Sequence, residues 1–242
     1  MPTAAARPRF FRAPARRAKH FRAPPKTARV PRMEILALEF STERGSLALF
    51  ADGVPVAAAA VDAGHRRSQE LFAAAADLLA GAGRTFAGLG AFAVGRGPGA
   101  YTGLRVSLTA ANGWALPENK PVWTVSSGAA LAAELFAERP ELAQVVAWGD
   151  ARRGMIWAGR FARDAQRVVR QTGDWRLWPA DACGREWPEA HWIAPDRAPR
   201  AEWVGRLFFA GGAGEERQPI YLHPAVVAAP RFGADGQPLP PA

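Results

Sequence analysis

The chain has 242 residues, 49% of them apolar, with 31 Lys and Arg against 22 Asp and Glu and a formal charge of +9. That length suits one large domain or two small ones around a sizeable core. Its single cysteine, Cys183, excludes an intrachain disulfide and a multi-cysteine metal site, and fits a reducing compartment. Ten of the basic residues and none of the acidic ones fall in residues 1–32, so the rest of the chain carries a net charge of −1. The high charge therefore points to a polyanionic partner for the leading segment alone.

Residues 1–32 are Pro, Ala, Arg and Lys with scattered Phe10, Phe11 and Phe21. Such a composition cannot bury enough apolar surface to offset chain entropy, and a disordered basic extension is expected. It reads as an arm touching RNA or a membrane surface, as an Arg-rich targeting segment, or as a leader ahead of a start at Met33. No apolar run approaches the roughly 20 residues of a membrane-spanning helix. The expectation is a cytoplasmic protein with no membrane partner.

From Glu34 the pattern is a meander of strands over residues 34–40, 45–51 and 54–61, with Asp52-Gly53 as a hairpin signal. Over residues 65–82, Leu71, Phe72, Ala75, Leu78, Leu79 and Ala82 recur at helical spacing, and Gly81 and Gly83 close the helix. Residues 89–94 form an all-apolar strand, as expected where both faces of a sheet are covered. Gly95, Gly97, Pro98, Gly99 and Gly103 then punctuate a reversal, and a helix is expected from an N-cap at Thr102 to Leu116, just before Pro117. Leu104, Leu108, Ala111 and Ala115 line one side of that helix and Val106, Ala110 and Trp114 another, with Arg105, Ser107, Thr109 and Asn112 as its polar surface. A helix apolar on two sides is covered on two sides.

Gly95-Arg96-Gly97-Pro98-Gly99-Ala100 nominally fits a dinucleotide fingerprint, but Pro98 has no amide to offer a pyrophosphate and no acidic residue follows at the required distance. A Walker loop fails because no Gly-Lys-Ser/Thr follows. A strand over 121–125 and a helix over 127–138 complete the order of an RNase-H-like, actin-like half. Beyond Pro140, strands are expected at 145–148, 155–161, within 166–177 and at 191–194, with a helix over 201–209 and a frayed tail over 230–242. Seven of the nine tryptophans lie in this second unit, where the absence of a basic surplus favours packing over stacking on RNA.

The segments ILALEFSTERGSLALF, GRGPGAYTGLRVSLTAANGWAL, VSSGAALA, GDARRGMIWAGRF and QPIYLHP fall in the order and spacing of the bacterial TsaB (YeaZ) family, over residues 33–223. The resemblance implies an α/β fold of two actin-like (ASKHA, RNase-H-like) lobes with mixed sheets flanked by helices. The first lobe would span 33–126 and the second, reduced lobe 127–229. It also implies a non-catalytic scaffold without a cofactor, in the complex that places threonylcarbamoyladenosine beside the anticodon of tRNA. Its partners would be the catalytic paralogue TsaD and the ATPase TsaE, with homodimers when TsaD is absent and tRNA met only through the complex. The pairing would use the first-lobe helices, through Leu71, Phe72, Tyr101, Thr102, Leu104, Arg105 and Leu108, since an apolar helix face left bare is an exposed patch.

Two rivals belong to other classes: an ATP-binding actin-like enzyme, and a homodimeric RNA-binding accessory protein. The catalytic paralogue holds metal with two histidines four apart, whereas here His65 is followed at that spacing by Gln69, whose amide is a poor substitute. The first strand ends in Glu39-Phe40-Ser41 where relatives carry Asp-Thr-Ser, which weakens a nucleotide role. Glu39 and Asp150 could still meet in an interlobe cleft as paired carboxylates, or serve separately as a strand end and a turn cap. His223 stands where relatives carry Arg, and Asn119-Lys120 has no counterpart in the resemblance.

Overall fold

A computed structural model of the chain describes Phe10–Phe11, residues 33–62 and residues 67–222. The remainder of the basic extension, His65, His223 and the tail over 230–242 lie outside the described residues. The first sheet contains β1 (Phe10–Phe11), β2 (Glu34–Glu39), β3 (Arg44–Ala51), β4 (Val54–Asp62), β5 (Ala91–Gly95) and β6 (Val122–Val125), in the order β1-β4-β3-β2-β5-β6. Strands β2, β3 and β4 pair antiparallel as the meander requires, and β2, β5 and β6 run parallel. Asp52 and Gly53 take the two positive-φ positions of the β3–β4 hairpin. β1 pairs antiparallel with β4, Phe10 opposite Ala59, inside the extension expected to be disordered.

Alternation along the central strands feeds two separate cores. Ile35, Ala37, Ala48, Phe50, Ala91 and Ala93 face one side, and Leu36, Leu38, Leu47, Leu49, Phe92 and Val94 the other. The leucine-rich face is covered by α1 (Arg67–Gly81) and α2 (Tyr101–Ala115). α1 ends as the glycines predict: Gly83 is left-handed (φ 66°), and the Arg84 N–H donates to Leu79 O at 2.8 Å in a Schellman arrangement.

The alanine-rich face is covered by α4 (Ala201–Phe209), which packs against α3 (Ser127–Glu138), and α3 in turn lies on the second sheet. Alanines on the strands let the helix approach the sheet closely. At Gly205 an added Cβ would lie 2.5 Å from Phe50 Cζ, so helix and strand meet there without a side chain between them. α4 thus follows the second unit in sequence yet packs on the first sheet, and one continuous core joins the two lobes.

The second sheet is built on the antiparallel pair β7 (Gln144–Arg152) and β8 (Met155–Arg163). Along the free edge of β8 run β9 (Val169–Gln171) and β10 (Arg176–Pro179), while β11 (His191–Trp192) joins β7 in parallel. The strand expected within 166–177 is therefore broken in two, with Gly173 at φ 96° in the gap. Trp175 packs edge-on against Trp157 and Phe161, filling the space left by Gly128 and Gly159. On the opposite face Trp148, Trp178, Trp187 and Trp192 form a small cluster over Val146, Ala158 and Ala190. Among the described residues no helix is long and apolar enough to cross a membrane.

Candidate functional site

The glycine-rich turn between β5 and α2 is where strands, helices and lobes converge. Gly95 lets the end of β5 pass against Glu39, since a Cβ there would sit 2.6 Å from Glu39 Cδ. Gly99 does the same for the β2–β3 turn, where a Cβ would lie 2.6 Å from Ser41 Cβ. The freed space is used for hydrogen bonds: Ala100 N–H donates to Ser41 O at 2.6 Å, Arg96 N–H to Val125 O at 2.9 Å, and Ile220 N–H to Arg96 O at 2.8 Å. Two amides that a dinucleotide fingerprint would offer to phosphate, those of Gly97 and Ala100, are thus already engaged, Gly97 N–H with the Ser127 hydroxyl at 3.0 Å.

Glu39 is the organising polar group. It is 1% exposed, and accepts from Ser41 N–H at 2.7 Å and from the Ser127 hydroxyl at 2.8 Å. Burial pushes its carboxyl above the ordinary value of 4.5, against the lowering effect of the hydrogen bonds from Ser41 and Ser127. The buried Ser41 hydroxyl lies against the same carboxyl, where it opposes the effect of burial. Glu39 therefore ties the end of β2 to the start of α3 and, through Ser127, to the glycine turn.

Beside this bracket a cleft of about 1200 Å³ opens between the lobes, bounded by the β2–β3 turn, the start of α2, the β7–β8 hairpin and the segment ending at Leu222. Asp150 stands on its wall, bonded to Arg152 N–H at 2.7 Å, with the Arg152 guanidinium 3.4 Å away. Glu39 does not line the cleft. Asp150 and Glu39 thus serve separate local structures, not one carboxylate pair. Among the described residues no group of three His, Cys, Asp or Glu could hold a metal ion.

The N-cap of α2 lies two residues earlier than its sequence suggests. Ala100 occupies the N-cap with no side-chain hydrogen bond, so Thr102 is an exposed first-turn residue and not the cap. Ser107, expected on the polar surface, is fully buried and donates to Leu104 O at 3.2 Å, which removes its hydroxyl as a cost of burial. Asn119 is left-handed (φ 50°) where the chain leaves the helix, and Lys120 Nζ donates to the carbonyls of Phe86 and Ala87 at 2.6 and 2.8 Å. Those contacts give Asn119-Lys120 a local structural role.

The seven residues expected at a partner interface divide in two. Leu71, Leu104 and Leu108 are buried inside the chain, Leu71 and Leu108 under the first sheet and Leu104 beside Gly97. They belong to the core, so a charge placed on any of them would test folding and not docking. Phe72 is 48% exposed, Tyr101 is 55% exposed, and Thr102 and Arg105 face solvent. Phe72 stands edge-on to Trp114 at 5.4 Å, and Arg105 donates to the Tyr101 hydroxyl with its guanidinium 5.2 Å from that ring. Tyr221 was not singled out by sequence: it packs on Tyr101 with centroids 5.4 Å apart, brought there by a segment 120 residues later in the chain.

A family model described as TsaD, tRNA N6-adenosine threonylcarbamoyltransferase, matches residues 61–198. The chain is 33% identical over 136 residues to the Escherichia coli (strain K12) tRNA threonylcarbamoyladenosine biosynthesis protein TsaB, covering 56% of this chain and 58% of that one. The chain belongs to the TsaB (YeaZ) family. The TsaB protein of Haemophilus influenzae is 32% identical over 146 residues, 60% of each chain. The match thus spans about three fifths of the length of these two TsaB relatives. YeaZ from Pseudomonas aeruginosa superimposes with a TM-score of 0.68 at 26% identity, covering 78% of this chain and all of that one. The two mixed sheets flanked by helices are therefore the actin-like TsaB architecture, and the glycine turn that organises them lies inside the region the family model matches.

Proposed function

We propose that the chain takes part in the biosynthesis of threonylcarbamoyladenosine in tRNA as a non-catalytic subunit that docks a TsaD paralogue through α1 and α2. The observation that carries this reading is the half-exposed aromatic face on those helices, with Phe72 braced by Trp114 and Tyr101 by Arg105. Large aromatics with a neighbouring arginine are the residue types that dominate binding energy at protein interfaces. Tying Glu39 into the fold as a buried bracket supports the non-catalytic part, because an actin-like phosphate site needs an acid free to face metal in the cleft. TsaE would join the same assembly, tRNA would be met through the complex, and the aromatic face would close a homodimer when TsaD is absent.

The test is co-purification with the same organism's TsaD, comparing wild type with Phe72→Glu. Phe72 is half outside already, so the variant is expected to keep the wild-type melting temperature within a few degrees. Setting an unpaired carboxylate in a desolvated contact costs several kcal/mol, on the order of a weak interface. Co-elution is therefore expected to be lost. A folded Phe72→Glu chain that still co-elutes with TsaD at the wild-type ratio overturns the docking assignment.

A further inference from the structure

We infer that the outer edge of β4, with the acidic flank of α1 beside it, is a docking surface for a basic extended segment. Its occupant is the chain's own leading segment, residues 1–32, anchored at Phe10–Phe11.

β4 is the outermost long strand of the first sheet, and β1 pairs with it only through Phe10 opposite Ala59 and Phe11 opposite Ala58. The rest of its outer edge, at residues 54–57 and 60–62, has no strand partner among the described residues. Val54 and Val56 are 63% and 43% exposed there. An open apolar edge is a template for any extended chain, which it holds through backbone hydrogen bonds.

The charge around the edge selects which chain. α1 lies over β3 and β4, and α2 over β2, β5 and β6. Phe72 meets Trp114 of α2, so the stripe of Glu70, Ala74 and Asp77, on the other flank of α1, is turned toward the β4 edge. Glu70 and Asp77 are exposed, as is Asp62 at the end of β4, and none of the three has a hydrogen-bond or ion-pair partner among the described residues. Arg44, opposite Asp62 in the β3–β4 register, donates to the Asp196 carbonyl instead. Residues 1–32 carry ten Lys and Arg and no acid. The acidic flank thus complements the segment that β1 already pins beside it.

Topology assigns the edge to the chain's own segment and not to that of a second copy. β1 runs antiparallel to β4, so the chain leaving Phe11 heads toward Val54. That is the end of the sheet where β2 begins, with Met33 O accepting from Asp52 N–H at 3.0 Å. β1 stands three strands from β2, about 14 Å away. A chain of the length of residues 12–32 reaches about 70 Å when extended, so the connection closes easily within one molecule. Docked there, the segment seals the edge against pairing with other chains.

The experiment is cysteine cross-linking in the full chain with no partner present, on a Cys183→Ser background that removes the only native thiol. Phe10→Cys is combined with Ala59→Cys, and Phe11→Cys with Ala58→Cys, the two pairs that face each other in the register. Both are made because adjacent antiparallel pairs alternate between wide and close spacing, and because Ala58 is less buried than Ala59 and tolerates the change more readily. Phe10→Cys with Val54→Cys, far out of register, is the control. Mild oxidation is expected to give a disulfide-closed monomer, formed by the better in-register pair at least about tenfold faster than by the control. Glu70→Lys with Asp77→Lys should slow that cross-link several-fold at low salt, and the difference should disappear at high salt. Phe72 stands on the other flank of α1, so this outcome does not depend on the docking of TsaD. In-register pairs that close no faster than the control leave the edge without this occupant and overturn the proposal. A disulfide-linked dimer as the main product gives the edge to a second copy and overturns it as well, and a rate unmoved by the two lysines overturns the role of charge.

Discussion

Gly95→Ala is expected to prevent the chain from reaching a stable fold. The added methyl would lie well inside contact distance of the Glu39 carboxylate, with its carbon 2.6 Å away. Neither group can yield. Glu39 is held by Ser41 N–H and the Ser127 hydroxyl, and Gly95 sits in register between β2 and β6, opposite Val125. Overpacking a rigid site typically costs about 1 to 3 kcal/mol, and breaking a buried hydrogen-bond bracket adds a similar amount. That sum, about 2 to 6 kcal/mol, reaches the lower end of the whole stability of an ordinary domain, which is about 5 to 15 kcal/mol. The expected outcome is insoluble expression, or a urea midpoint lowered by more than any surface substitution produces. A soluble Gly95→Ala chain with a wild-type midpoint would show that the bracket is not rigid. Gly81→Ala is the matched control, because nothing lies within 4 Å of a Cβ there, and it should change little.

The second large effect concerns Glu39 itself. Glu39→Ala removes the acceptor for Ser41 N–H and the Ser127 hydroxyl, both inside the protein, and leaves a cavity. Two buried donors without partners cost about 1 to 3 kcal/mol each, so a loss of about 3 kcal/mol or more is expected. Glu39→Gln keeps the shape and a carbonyl acceptor and should cost far less. The pair also separates by pH. Burial raises the Glu39 carboxyl above 4.5, so the folded chain binds its proton more tightly than the unfolded chain does. Its contribution to stability is then full below the unfolded value near 4.5 and is lost as pH rises through the raised folded value. The stability of Glu39→Gln relative to wild type should therefore improve with pH across that window and level off above it. Urea unfolding at a series of pH values measures this, and a difference that stays flat with pH would mean that Glu39 is not desolvated in the folded state.

Much of the fold is legible in local pattern. The meander of β2 to β4, its Asp52-Gly53 turn, the helical spacing of α1 and its glycine closure all follow from periods of 2 and 3.6 and from backbone chemistry within a few residues. The glycine turn was equally visible as a turn, because clustered glycine and proline mark a reversal whatever surrounds it. At the site, local pattern is not enough. Leu71, Phe72 and Leu104 all fall on apolar positions of a helical pattern, which does not say which side the sheet covers, and Tyr101, ahead of the expected cap, enters the expected interface only through the family resemblance.

Local pattern specifies most of the elements, their order and the actin-like class to which that order belongs. Packing between distant segments settles that Leu71, Leu104 and Leu108 are core while Phe72 and Tyr101 stand outside, and that α4 returns to cover the first sheet. It also settles that Glu39 is a buried bracket: its partner Ser127 is 88 residues away and arrives through the parallel pairing of β5 and β6. The physical reason is that propensity and periodicity act over one or two turns of chain, whereas burial and hydrogen-bond partnership depend on which distant surface comes to rest against each face.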